Sequence, residues 1–141
     1  MTMTLSRRDA LLAGLSAFGL AAIPSLSMAA TLDELTAAFT NGAAVSADGI
    51  TLTAPEIAEN GNTVPVGVSA PGAVAILLLA AGNPTPSVAT FTFGPASGTQ
   101  MAATRIRLAK TQDVVALAKM ADGSIRQAQA TVKVTIGGCG G

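Results

Sequence analysis

The sequence predicts an all-β domain, an antiparallel sandwich of two sheets that follows one short helix and ends in a flexible glycine-rich arm. From residue 50 to residue 136, apolar residues alternate with polar ones or form short apolar runs. Turn residues rich in glycine and proline separate these runs, which leaves room for about seven short strands. Helical spacing of apolar residues occurs only once, before this stretch. Strands of this number and length are typical of an immunoglobulin-like sandwich.

Residues 1–29 have the order of a secretory signal peptide. Arg7 and Arg8 precede an apolar run over residues 10–23, and a small-x-small cleavage pattern ends at Ala29. We therefore expect export and cleavage after Ala29. The arginine pair resembles a twin-arginine signal, although an alanine stands where that signal usually has phenylalanine. An uncleaved membrane anchor is the alternative, but the run is shorter than the roughly 20 residues that span a bilayer.

Cleavage leaves a mature chain that is long enough for one domain, which we place at residues 30–136, with the arm at residues 137–141. The chain has 8 basic and 8 acidic residues, and only 11% of its residues are charged. This balance does not indicate binding to nucleic acid or to an anionic membrane. The chain contains no histidine, the commonest side chain in acid–base catalysis and metal binding. We expect no intrinsic catalysis, no metal site and no cofactor.

A short helix is predicted from Leu32 to Phe39. Thr31 and Glu34 have the spacing of a capping box, in which each side chain accepts a hydrogen bond from the other's backbone. Apolar residues then recur every three or four positions, and Asn41-Gly42 provides a stop. The apolar stripe of this helix is expected to pack against the sandwich.

The strands are defined by apolar patterns and by the turn residues between them. They are predicted, in order, at residues 50–53, 64–69, 73–79, 88–93, 101–110, 114–120 and 125–136. Pro65 lacks a backbone donor, which places its strand at a sheet edge or beside a bulge. Residues 112–113 are predicted to form a turn, and residues 121–124 a hairpin, because Asp-Gly tolerates positive φ. Residues 55–61 are interpreted as a solvated loop.

Two of these strands, at residues 73–79 and 114–120, are apolar on both faces. A strand of this kind is covered on both sides or faces a partner. Because the chain carries little charge, we expect more apolar surface than one small sandwich can bury, and we predict a stable protein partner. A self-sufficient monomer with a thick core is the alternative.

The arm contains the only cysteine of the chain. Its residues are Gly137, Gly138, Cys139, Gly140 and Gly141. Glycine imposes no fixed backbone shape, and five extended residues span roughly 17 Å at about 3.3–3.6 Å each. No cationic residue lies within five positions of Cys139 to favour its thiolate. We interpret the arm as a mobile tether that presents a thiol to other proteins.

Other interpretations of the arm remain open. It could be a frayed terminus with an incidental cysteine, since chain ends are commonly disordered. The final glycine pair could be the functional feature, as in ubiquitin-like sulfur carriers, although those proteins are cytosolic. The cysteine could form an intermolecular disulfide in an exported structural module, because a single cysteine has no partner within the chain. An enzyme with a lone cysteine nucleophile is a further alternative.

Three features together resemble the SoxY family, the sulfur-carrier subunits of the bacterial Sox thiosulfate-oxidation system. They are the Gly-Gly-Cys-Gly-Gly end after a long strand of the form Ala-x-x-x-Val-x-Val-Thr-Ile, the segment at residues 54–61 followed by Val-Pro-Val, and the twin-arginine leader. The resemblance covers nearly all of the predicted mature chain. It implies a periplasmic protein that is not itself an enzyme and that holds its substrate covalently on Cys139, with the four glycines as its arm.

The same resemblance implies the partners. SoxZ, a second immunoglobulin-like subunit, would form a heterodimer with this chain and be exported with it. The c-type cytochrome SoxAX would load thiosulfate onto Cys139, and the dimanganese hydrolase SoxB would release sulfate. The molybdenum enzyme SoxCD would oxidise the sulfur that remains on the cysteine.

Overall fold

The structure is a computed structural model that describes residues 30–137. The predicted signal peptide, with Arg7, Arg8 and the cleavage site after Ala29, lies outside the described residues, and so do residues 138–141. The described elements are, in chain order, α1 (Leu32–Thr40), β1 (Val45–Ser46), β2 (Thr51–Thr53), β3 (Ile57–Ala58), β4 (Val64–Ser69), β5 (Ala73–Ala80), β6 (Ser87–Thr92), β7 (Met101–Ile106), β8 (Gln112–Met120) and β9 (Ile125–Val134). No helix among these elements is long and apolar enough to cross a membrane.

The strands form two sheets. The larger sheet has the order β1-β9-β8-β5-β6, with β3 also paired to β9, and the smaller sheet has the order β2-β4-β7. The long strands pair in antiparallel fashion. The two-residue strands β1 and β3 instead run parallel to β9, one near each of its ends. The predicted immunoglobulin-like sandwich with one short N-terminal helix is confirmed.

The main core lies between the two sheets. Alternate residues of the central strands β5 and β8 point into it, as do the valines of β4. Its buried members include Ile76, Leu78, Val114, Ala116, Val64, Val66 and Val68. Phe91 and Phe93, which alternate with a polar residue at the end of β6, pack against the same cluster. This alternation buries one side of each sheet and fixes the register of its strands.

The opposite face of β5 and β8 is also buried, beneath helix α1. Leu77, Leu79, Val115, Leu117 and Ile125 form this second cluster. Leu32, Leu35 and Phe39 of the helix cover it. Full burial of one leucine side chain contributes about 1.5–3 kcal/mol. The two strands that are apolar on both faces are therefore covered within the chain, so their composition no longer argues for a partner.

Helix α1 has the predicted caps and ends one residue later than expected. Thr31 Oγ1 accepts a hydrogen bond from the Glu34 N–H at 3.3 Å, and Glu34 Oε2 accepts one from the Thr31 N–H at 2.7 Å. Hydrogen bonding of the Glu34 carboxylate, first by the Thr31 backbone N–H and then by the Thr31 side chain, lowers the pKa of Glu34 below its ordinary value. At the other end, Asn41 adopts the left-handed conformation, with φ of 50°. The capping box thus sets the helix start, as the sequence indicates.

The sheets differ from the predictions in several details. Strand β1 was not predicted, and the strands predicted over residues 101–110 and 125–136 end at Ile106 and Val134. The turn predicted at residues 112–113 is wrong, because Gln112 is buried and begins β8. The loop predicted at residues 55–61 contains the short strand β3. Pro65 lies in the middle strand of its sheet, but β2 pairs only with residues 67–69. At Pro65 the sheet therefore has a strand on one side only, which explains how the missing donor is tolerated.

Candidate functional site

The site predicted from the sequence begins where β9 ends. Gly137 is the last described residue, and Gly138, Cys139, Gly140 and Gly141 lie outside the described residues. The structure thus shows the base of the arm, residues 133–137, but not the thiol itself. The geometry of this base determines the point at which the arm leaves the domain and how strongly that point is held in place.

One edge of the base is held by the side chain of Thr111. Strand β8 begins at Gln112, so its backbone pairing with β9 stops at Val132. Thr111 Oγ1 continues the pairing by accepting a hydrogen bond from the Val134 N–H at 2.9 Å and donating one to the Val134 carbonyl at 3.4 Å. A short hydroxyl side chain replaces a backbone group in this way. Val134 is therefore fixed on the β8 side.

The other edge of the base is held by the segment around β3. The Lys133 N–H donates to the Glu56 carbonyl at 2.9 Å, and the Thr135 N–H donates to the Ala58 carbonyl at 3.1 Å. Thr135 Oγ1 also donates to the Glu59 carbonyl at 3.1 Å. This pairing was not predicted from the sequence, because a two-residue parallel strand has no recognisable pattern. The chain thus stays hydrogen-bonded beyond the end of β9.

The last contacts before the arm involve Gly61 and Ala109. Gly61 is buried; its N–H donates to the Ile136 carbonyl at 2.8 Å, and its carbonyl accepts from the Leu108 N–H at 2.7 Å. Gly61 thereby joins β9 to the loop that follows β7. Gly137 passes so close to the carbonyl oxygen of Ala109 that a Cβ atom on Gly137 would overlap it. The base of the arm is confined between two backbone segments.

A pair of side-chain amides holds the loop that contains Ala109. Asn83 Oδ1 accepts from the Ala109 N–H at 3.0 Å, and Asn83 Nδ2 donates to the Arg107 carbonyl at 2.8 Å. Gln112 Nε2 donates to the same Asn83 oxygen at 2.8 Å, while its Oε1 accepts from the Gly82 N–H at 2.7 Å. Buried polar groups are stable when they are paired in this way. Neither residue was identified from the sequence as part of the site, and a turn was predicted at residues 112–113.

The surface around the base has charges of both signs and one exposed apolar residue. Arg107, Lys110 and Glu59 are exposed, and Ile136 is 68% exposed. Glu56 is exposed as well, as expected for a solvated segment. Over residues 30–137, no three His, Cys, Asp or Glu side chains are grouped so that they could hold a metal ion.

The firm base shortens the reach of the cysteine. Cys139 follows Gly137 by two residues, so the backbone between them spans roughly 7 Å at about 3.3–3.6 Å per residue. The roughly 17 Å predicted from the sequence is the extended length of all five arm residues, and it does not take into account that Gly137 is held against the domain. A protein that reacts with the thiol must therefore come close to the surface formed by the 59–61 and 107–110 segments.

In a carrier-type protein, a folded domain presents a reactive group to other proteins. A sandwich whose last strand leads into a short glycine segment with a single cysteine belongs to this class by its architecture. A family model described as sulfur oxidation protein SoxY matches residues 35–139, well over half of the chain and including Cys139. The chain belongs to the SoxY family of sulfur carriers.

Solved structures agree with this assignment. The sulfur carrier protein SoxY from Chlorobium limicola f thiosulfatophilum has 37% sequence identity and a TM-score of 0.65, and the match covers 75% of this chain and 97% of that one. A superoxide reductase (neelaredoxin) from Ignicoccus hospitalis has 20% identity and a TM-score of 0.54, covering 60% and 78%. A putative superoxide reductase from Thermotoga maritima has 16% identity and a TM-score of 0.52, covering 68% and 89%. The likeness to these two reductases concerns the fold alone. No curated protein sequence matches the chain.

Proposed function

We propose that this protein carries thiosulfate-derived sulfur in the periplasm, holds it covalently on Cys139 and presents it to partner enzymes. The observation that carries the proposal is the match to the SoxY family, which runs through the sandwich and includes Cys139. The hydrogen-bonded base of the arm supports it, because a carrier needs a fixed point from which its reactive group is offered. In this proposal the domain supplies position and the partners supply catalysis.

Loading joins the Cys139 sulfur to the terminal sulfur of thiosulfate. The new S–S bond forms as the thiol loses its proton, and two electrons pass to a c-type cytochrome partner, SoxAX. The product is a cysteine S-thiosulfonate. Because the thiolate is the reacting form, the proposal assigns the deprotonation of Cys139 to its complex with the cytochrome.

Unloading proceeds by hydrolysis. Water adds its oxygen to the sulfonate sulfur, the bond between the two thiosulfate sulfurs breaks, and sulfate and a proton leave, so that a persulfide remains on Cys139. The dimanganese hydrolase SoxB would supply the metal-activated water for this step. SoxCD would oxidise the remaining outer sulfur to a sulfonate, with oxygen from water and with the electrons and protons leaving through that enzyme and its electron acceptor. A further hydrolysis would then release sulfate and restore the thiol.

The stable partner in this proposal is SoxZ, and its support is the family rather than exposed apolar strands, since α1 covers those strands. The paired Arg7 and Arg8 and the small-x-small pattern that ends at Ala29 support export by the twin-arginine route and cleavage. That route moves folded proteins, so the two subunits would cross the membrane as one complex.

The test is the intact mass of the protein purified from the periplasm of cells grown on thiosulfate, under non-reducing conditions. Wild-type protein is expected to carry adducts of thiosulfonate or added sulfur, and Cys139→Ser is expected to carry none. A mature N-terminus at Ala30 would support the proposed cleavage. A bare thiol or a plain disulfide dimer, unchanged by growth on thiosulfate, would overturn the carrier proposal and favour an exported structural module.

A further inference from the structure

We propose that Gly137 is a positioning residue: the absence of a side chain lets the chain pass against the Ala109 carbonyl, and this contact sets the point and direction from which Cys139 leaves the domain. The inference rests on the proposed carrier function and adds to it. The arm glycines are interpreted from the sequence as a source of free motion, whereas the requirement at Gly137 is close approach to another backbone segment.

The requirement at Gly137 is space rather than backbone conformation. Four glycines of the domain have φ near +80°, which side chains rarely adopt, but Gly137 is not among them. A Cβ atom added at Gly137 would overlap the Ala109 carbonyl oxygen and lie 3.4 Å from its carbon. At Gly94 and Gly98, by contrast, an added Cβ meets nothing within 4 Å. Gly137 therefore differs from an ordinary surface glycine.

The Ala109 carbonyl cannot move aside easily. It belongs to the backbone, and Asn83 holds the loop just before it by accepting from the Ala109 N–H and donating to the Arg107 carbonyl. Just after it, Gln112 Nε2 donates to the Lys110 carbonyl at 3.1 Å. Gln112 in turn holds the Asn83 side chain at 2.8 Å. Displacing the carbonyl would break hydrogen bonds in a partly buried network, each worth about 0.5–1.5 kcal/mol.

The arm cannot move aside without cost either. The Ile136 carbonyl accepts from the Gly61 N–H at 2.8 Å, and Thr135 is bound to Ala58 and Glu59. A methyl group at Gly137 would therefore turn the chain at this residue and change the direction of the arm. Only two residues separate Gly137 from Cys139, so the following glycines have little length over which to correct the change.

The inference is tested with Gly137→Ala, with Gly98→Ala as a matched control. The protein serves as the varied substrate in thiosulfate-dependent reduction of purified SoxAX, and loading of Cys139 is followed by intact mass. We expect Gly137→Ala to lower kcat/KM by about 10- to 100-fold, since a misplacement of about 1 Å has effects of this size. The control is expected to equal the wild type.

Two further measurements separate positioning from other effects. The rate at which Cys139 reacts with a small aromatic disulfide is expected to be unchanged in Gly137→Ala. The thermal unfolding midpoint is expected to fall by only about 4–8 °C, the shift that corresponds to the loss of roughly 1 kcal/mol, or one hydrogen bond, from a small domain. Equal kcat/KM for Gly137→Ala and wild type would overturn the inference. An equal loss with the small disulfide would also overturn it, because the thiol itself would then be impaired. If wild-type protein takes up no sulfur at all, the carrier proposal fails instead.

A second pair of variants tests the other side of the base. Thr111→Val removes both hydrogen bonds to Val134, while Thr111→Ser keeps the hydroxyl that makes them. We expect Thr111→Val to lower kcat/KM with SoxAX about tenfold, within the range that misplacement produces, and Thr111→Ser to restore it. Equal activity of the two variants would contradict a fixed base as the source of the effect.

Discussion

The two ends of strand β9 are held in different ways. At the first end, Ile125 is fully buried beneath α1, and the preceding hairpin contains Gly123 with φ of +85°. At the second end, Ile136 is largely exposed, and Gly137 lies against a carbonyl oxygen. Each end pairs with a two-residue parallel strand. Apolar burial beneath α1 adds to this pairing at the first end, and hydrogen bonds from short polar side chains add to it at the second. The first end contributes stability, and the second fixes a position.

The largest loss of stability is expected when the buried side chain at the first end of β9 is truncated. Ile125→Ala removes a fully buried side chain between β8, β9 and α1. The lost contacts and the cavity left behind should lower the free energy of unfolding by about 2–5 kcal/mol. Urea unfolding followed by circular dichroism measures this change. A loss below about 1 kcal/mol would mean that α1 closes over the gap, and that this cluster matters less than its burial indicates.

A smaller loss is expected from the hairpin glycine. Gly123→Ala places a side chain at φ of +85° with no steric contact around it. The strain of this backbone conformation should cost about 1–2 kcal/mol, while kcat/KM with SoxAX stays unchanged. Gly98→Ala, which has neither strain nor contact, is the control. An unchanged unfolding free energy would show that the turn relaxes to another conformation. Gly123 could then no longer serve as a glycine required for its backbone conformation, in contrast to Gly137.

The cap of the helix that covers the buried end is expected to respond to pH. Hydrogen bonds to Thr31 lower the pKa of Glu34 below 4.5 in the folded protein. Ionised Glu34 therefore adds stability above the ordinary pKa, and this stability is lost as the pH falls through the lowered pKa. The difference in unfolding free energy between wild type and Glu34→Gln should shrink on acidification from pH 7 to pH 3. A difference that stays constant would exclude a role for the charge.

The smallest effect is expected at the exposed isoleucine. Ile136→Ala is predicted to change the free energy of unfolding by no more than about 0.5 kcal/mol, because the side chain is 68% exposed. This variant is the counterpart of Ile125→Ala, because Ile136 lies just beyond the other end of β9. A loss comparable to that of Ile125→Ala, measured by the same urea unfolding, would remove the distinction between the two ends.

Local chemistry made part of the fold predictable from sequence. Thr31 and Glu34 define the helix start by contacts three residues apart, and Asp122-Gly123 defines the hairpin, where Asp122 Oδ1 accepts from the Ser124 N–H at 2.9 Å. Strand β3 was missed because its partner, Lys133–Val134, lies far away in the chain. Gln112 was predicted to lie in a turn because the sequence alone does not distinguish an exposed glutamine from one that is buried and fully hydrogen-bonded.

The candidate site was predictable as a segment but not as a geometry. Composition and spacing selected Cys139 and its glycines, because one cysteine among glycines is distinctive. The separate role of Gly137 was not visible, since flexibility and close approach require the same residue type. Only the position of the Ala109 carbonyl distinguishes the two roles, and that position depends on Asn83 and Gln112.

The polar side chains that fix the base of the arm are amides and hydroxyls, from Asn83, Gln112, Thr111 and Thr135. None of these groups ionises in the ordinary pH range, and bonds between neutral groups are only weakly screened by salt. Acid or high ionic strength would weaken the Glu34 cap and leave these bonds intact. In the proposed carrier, changes in the acidity and salinity of the medium would therefore leave the position of the arm's base unchanged and act on the reactivity of the thiol alone.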